Sequence, residues 1–395
     1  MRAALLVSAA LIASPAFAQT NNQYQGGNAA ATTTVNVGQT EDAAATAVAG
    51  GNVVTVQAND AGAFMLNDQH MDGDTTATAN SNIGSADGNT VTSSAAVANG
   101  ATAELRGSTV TIDSLTLAHG DTTAITSANG NYAVNAATSA SAAGNVAAVS
   151  TEYSDAELLI AQESTGNTNA IINADHGHVD DQVVAGAISS ANNLTVNGYT
   201  TTLLNRTRQT SDGDEVNASV NLNASHAHDA VGNATANANG ITVDNQWGYA
   251  ETRVIQNSSS NVSANSEVTL GDHFHGFASS GALGVGNQTL VSNVGSDLSM
   301  TTTQDNTGDI AANASFTGAG GDSALASSAA YGNNVNGALC SQCDVNGVPS
   351  LYANNNQTNS GDVSATARVN SAYTNTAAAG ATAIGNAATY SARGP

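Results

Sequence analysis

Short apolar or β-branched patches recur along the chain, each bounded by Gly, Asn or Asp. Val53-Val54-Thr55-Val56, Phe64-Met65-Leu66, Leu158-Leu159-Ile160, Leu194-Thr195-Val196, Leu203-Leu204 and Arg253-Val254-Ile255 are of this kind. β-Branched and large apolar residues favour strands, while Gly, Asn and Asp tolerate the left-handed backbone of tight corners. The pattern therefore predicts short strands separated by turns. The density of Gly, Asn, Thr and Ser argues against long helices, although short Ala-rich stretches are ambiguous on this signal alone.

The patches are periodic. A motif of Gln, three residues, Gly or Ser, then Asp or Asn begins at Gln23, Gln69, Gln162, Gln209, Gln256, Gln304 and Gln357, with an eighth copy that has Thr116 in place of Gln. Successive copies lie 46, 47, 46, 47, 47, 48 and 53 residues apart. Each unit has a midpoint, seen at Gly51-Asn52, Gly144-Asn145, Asn192-Asn193, Gly286-Asn287, Gly332-Asn333 and Gly385-Asn386. If the midpoint is a turn, each 47-residue unit divides into two coils of roughly 23 to 24 residues. The fold expected is an all-β, repetitive β-solenoid (a β-helix) with about eight repeats. Sixteen coils at about 4.8 Å each would make a rod of about 75 Å. Gln repeated at equivalent positions would form a hydrogen-bond ladder along it. Disorder is the competing reading of so polar a chain. The strict period and only three prolines stand against it.

Composition sharpens this. Asp and Glu number 31 against seven basic residues, all Arg, for a net charge of −24. So acidic a chain cannot neutralise a nucleic-acid backbone, and without lysine it cannot be a P-loop NTPase, a protein kinase or a Schiff-base enzyme. Only 4% of residues are aromatic, and most of the 41% that are hydrophobic are Ala and Val, which suits a thin core with no room for Phe or Trp. No nucleophile elbow, HExxH or phosphate loop is present, so the chain reads as a non-enzyme that needs no cofactor. A β-helical carbohydrate-active enzyme is the weaker alternative on fold analogy alone.

The first residues read as an export signal. Arg2 supplies a positive start, Ala3 to Ala13 an apolar run, and Ala16-Phe17-Ala18 a cleavage site before Gln19. Residues 1–18 are then removed, and 19–395 form a single exported repetitive domain with no direct membrane span. The unit from 304 to 357 is the longest, which places a loop insertion near 338–350. Cys340 and Cys343 fall in it, and an oxidising exterior favours a disulfide between them.

Three further groups are candidate sites. His176 and His178, His226 and His228, and His273 and His275 recur near the repeat length with acids beside them. If i and i+2 share a strand face, they are candidate transition-metal ligands. Two coils per repeat would, however, separate neighbouring pairs by about 10 Å, too far for one ion. Trp247, Tyr249, Phe274 and Phe277 concentrate aromatic surface that could contact a glycan or a protein partner. The Gly-Asp turns lack the glycine-rich nonapeptide of calcium-binding rolls, so Asp reads there as a turn former.

An exported, lysine-free, Asn/Ala/Thr-rich chain with Gln…Gly-Asp/Asn…Ala units resembles surface adhesin and fibre subunits of Gram-negative bacteria, in particular the holdfast attachment protein D family of stalked alphaproteobacteria. The repeats are also similar to those of curlin, at about twice its period. The resemblance implies an outer-membrane-associated anchor for an adhesive polysaccharide, the holdfast. It further implies an outer-membrane lipoprotein and a curlin-like subunit as partners, and self-association. The alternative is a fibre subunit of functional-amyloid type that polymerises by itself.

Overall fold

The computed structural model describes residues 11–12, 17–59, 62–340 and 348–393. Among them every helix or strand element is a β-strand, and all strands join one parallel hydrogen-bonded system. No helix among the described residues is long and apolar enough to cross a membrane. The chain is a β-solenoid.

Its coil is the whole repeat, not half of it. Asn145 pairs with Asn99 on one side and Asn192 on the other, and Gln209 pairs likewise with Gln162 and Gln256. Each partner is one full unit away. The expected two coils per unit do not form, because the Asn midpoint is not a turn. The strand Thr168–Tyr199 runs straight through Asn192. The eight Asn of this column mark eight coils. At about 4.8 Å per coil the stack is about 38 Å tall, half the length expected from sixteen coils.

One coil can be followed from Gln162. The chain turns at 165–167, runs out from Thr168 to Val179, bends, and returns along Val183 to Asn192. It continues to Tyr199, turns at 200–201, and comes back along Thr202–Ser211. The cross-section therefore has two lobes that meet at a narrow waist. Burial alternates along most of these strands, as the period-two direction of side chains requires, and breaks into a fully buried run at the waist. The longer lobe is filled mostly by Ala with some Ile and Val, such as Ala170, Ile172, Ala185 and Ala187. The shorter lobe takes larger residues, such as Leu158, Leu194, Val196, Leu203 and Met300. Phe is not excluded from this core. Phe274 and Phe316 are fully buried in the Ala-rich lobe, edge to face at 5.5 Å between ring centres. Glycines supply the space: a Cβ at Gly321 would lie 2.4 Å from the Phe274 ring.

Candidate functional site

The waist is polar, buried and repeated. Asn52, Asn99, Asn145, Asn192, Asn239, Asn287, Asn333 and Asn386 form an unbroken column. Each Nδ2 donates to the Oδ1 of the next Asn at 2.7–2.9 Å. From Asn52 to Asn333 it also donates across the waist to a backbone carbonyl, as Asn192 does to Thr210 at 2.7 Å. Burial of an amide without partners would cost several kcal/mol, and this arrangement removes that cost while tying the two lobes together.

Opposite it stands the Gln column. Gln69 donates to Gln23, Gln209 to Gln162, Gln256 to Gln209, Gln304 to Gln256 and Gln357 to Gln304, all at 2.7–2.8 Å. Gln162 and Gln209 reach back across the waist to the carbonyls of Asn193 and Gly240. Thr116 interrupts the column, and both Gln69 Oε1 and Thr116 Oγ1 are buried there without a partner.

On the outside of the waist the Gly-Asp/Asn turns stack directly. A Cβ on Gly120 would lie 2.2 Å from the carbonyl oxygen of Gly73, so no larger residue fits that position unchanged. The next residue accepts through Oδ1 from a backbone N–H one coil on. Asn28 serves Asp74, Asp74 serves Asp121, Asp121 serves Asn167, Asn261 serves Asp309 and Asp309 serves Asp362, at 2.9–3.0 Å. Only an oxygen acceptor is required, so Asp and Asn interchange freely.

The first histidine pair splits between two faces, while His226 and His228 both face outward on either side of the buried Ala227. His176 points into the core and His178 outward, because the alternation slips by one at Gly177 where the strand bends into the corner. The His176 Nε2 has no partner, and burial pushes its pKa below the ordinary imidazole value. Outside, His178 stacks on His226 with 4.4 Å between ring centres and on Tyr132 at 5.8 Å. Neighbouring units are thus much closer than the 10 Å expected from two coils per repeat. Asp180 binds both Tyr132 and His178, and these hydrogen bonds, the Tyr132 one foremost, hold its carboxyl below the usual range. Asp181, His228 and Asp229 bring one ligand atom each within 4.8 Å of one another, a donor set suited to a divalent ion such as zinc. Asp229 Oδ1 also accepts the Phe277 N–H at 2.6 Å. His275 lies exposed near this corner, and the His273 side chain lies outside the described residues.

The expected aromatic cluster separates. Phe274 is core and cannot touch a ligand, while Phe277 is exposed on the histidine corner. Tyr249 is half-buried beside Glu251, and burial raises its pKa. Trp247 is exposed at the opposite corner, in different company. Gly107, Tyr153, Thr200, Trp247 and Gly295 occupy equivalent positions on five successive coils, with φ of 72°, 52°, 53°, 62° and 79°. They are all the described residues with positive φ. The buried Asn245 holds this turn by donating to Thr201 and Gly248 carbonyls. Tyr153 and Tyr199 belong to the same corner, edge to face at 5.7 Å, with the Arg106 guanidinium 5.8 Å from the Tyr153 ring. Sequence reasoning missed these two tyrosines. Their near-repeat spacing from Trp247 was the available signal.

Cys343 lies outside the described residues, as does most of the expected insertion at 338–350, so the pairing with Cys340 stays an expectation. The expected signal, 1–18, also falls largely outside them.

Regular coils, filled lobes, internal amide columns and chemistry confined to outer corners define a structural repeat protein of the β-solenoid class. The model of the holdfast attachment protein D family matches residues 37–309. The chain belongs to that family, a family of attachment proteins acting at the cell surface. No curated protein and no solved structure matches.

Proposed function

We propose that this chain is exported and anchors an adhesive polysaccharide, the holdfast, to the bacterial envelope without catalysing a reaction. The observation that carries this is the family match over coils whose Asn column is unbroken. A stack tied internally at each level is stiff and transmits load along its axis, and repeated outer faces let weak contacts add. An outer-membrane lipoprotein and a curlin-like subunit are its proposed partners at the envelope. Deletion of the gene tests the reading. Cells should still make adhesive material but shed it, and material that stays on the cell would overturn the anchor.

One observation favours a fibre-forming variant of this role. Every Asn Nδ2 points toward the C-terminal end, so Asn386 presents a donor and Asn52 an acceptor. Unlike ends stack head to tail and do not close on themselves. Concentration-dependent fibres of the purified chain would support it, and a strictly monomeric chain would exclude it.

A further inference from the structure

Arginine is scarce in this acidic chain, yet three of the seven lie together. Arg206 pairs in register with Arg253 on the next coil, and Arg208 follows Arg206 on the same outward face. All three are exposed and border an open groove of about 520 Å³ whose floor includes Leu115, Leu159 and Ile255. Glu157 and Glu251 each touch one arginine, at 3.5 and 3.1 Å, and among the described residues Arg208 has no ion pair. Leu115, Leu159, Arg206 and Arg253 come from successive coils, so the groove runs along the stack. Asp113 also lines the groove, and with Glu157 and Glu251 it sets local carboxylates beside the arginines, while salt screens the rest of the net charge beyond about 8 Å.

The aromatic corner lies on these same coils. Tyr153 precedes Leu159, Tyr199 precedes Arg206, and Trp247 precedes Arg253. A left-handed backbone is strained for a residue with a Cβ, and glycine takes the position on the coils before and after. Tyr153 and Trp247 remain 50% and 43% exposed, so part of each ring is free for a contact. Local strain held by an exposed aromatic is the signature of a contact with something else.

We propose that the groove and corner bind an acidic polysaccharide that crosses the coils from corner to groove, its carboxylates on Arg206, Arg208 and Arg253 and its sugar faces on Tyr153, Tyr199 and Trp247. Arginine forks match carboxylates, and aromatic faces match the apolar faces of sugar rings. The proposal rests on the anchoring reading and names the ligand chemistry and the site. The purified mature chain should retain polygalacturonate, and neutral dextran far less. Arg206→Gln with Arg208→Gln and Arg253→Gln should weaken retention about tenfold or more, as should high salt for the wild type. Trp247→Gly should weaken it severalfold while the unfolding midpoint changes little. Unchanged retention in the triple variant, or equal retention of dextran, would overturn the site. So would binding of poly-glutamate that survives Trp247→Gly, which would mark an acidic protein partner. In cells the triple variant should shed holdfast as the deletion does. If only the deletion sheds, this site falls and the anchor stands. If the deletion does not shed, the anchor falls, and the polygalacturonate result alone judges the site.

Discussion

The waist and the aromatic corner are both columns that run through successive coils, but they treat sequence in opposite ways. The waist carries Asn on all eight coils, buried from Asn52 to Asn333, and from Asn99 to Asn333 the amide both accepts and donates along the column. The corner carries Gly, Tyr, Thr, Trp and Gly in one backbone conformation that only Gly adopts without strain. Where the fold has a single requirement and the chain meets it each time, the residue serves folding. Where the chain departs from the requirement on an exposed surface, the departure points to contact with a partner.

The hardest test of the waist is Asn192→Leu. It removes the acceptor of Asn145, a donor to Thr210 and a donor to Asn239, all in the buried waist. A loss of about 4 kcal/mol is expected in urea unfolding, since each orphaned buried group costs about 1–3 kcal/mol. A loss below about 1 kcal/mol would break the distinction between the two columns. A repair should work in the other direction. Thr116→Gln gives Gln69 Oε1 a donor and Gln162 an acceptor, and should raise stability by about 1 kcal/mol.

His176 tests the interior by pH. Its folded pKa is depressed by burial, so the unfolded chain takes up the proton first as pH falls. Its contribution is intact above the ordinary value of 6.5 and is lost as pH drops through 6.5 toward the folded value. The urea midpoint should fall between pH 7.5 and 5, and by less in His176→Ala, which copies Ala224 one coil on. An identical fall in both chains would contradict this. The smallest effect belongs to the corner. Trp247→Gly exchanges relief of about 1 kcal/mol of strain for lost packing over Gly295, so stability should move by less than about 1 kcal/mol.

Much of this was legible in the residues. Gln at 23, 69, 162, 209, 256, 304 and 357 gave the period, the parallel stacking and the solenoid. The coil length was misread because Gly51-Asn52 or Asn192-Asn193 looks the same whether Asn turns the chain or bonds inside a strand. Only the pairing partner distinguishes the two, and that is a long-range fact. Phe274 was misplaced for a similar reason, since the glycine that admits it, Gly321, is its pairing partner a full coil away. His176 and His178 were put on one face by strict alternation, and a one-residue slip at Gly177 was enough to separate them. Asp and Asn at the turns were legible because their local chemistry, an oxygen acceptor, is the same in every environment. Tyr153 and Tyr199 join Trp247 only once coils stack at the full repeat.

Deletion of one repeat tests the central claim most directly. Thr75 pairs with Thr122, so removing 75–121 and joining Asp74 to Thr122 removes one whole coil. It also brings Asn52 under Asn145 and Gln69 under Gln162. Removing 75–98 instead removes half a coil and throws every later column out of register. Strand content, cooperative unfolding and retention of holdfast by cells should survive the first deletion and be lost in the second. A chain that tolerates the half-repeat deletion and fails on the whole one would contradict the account.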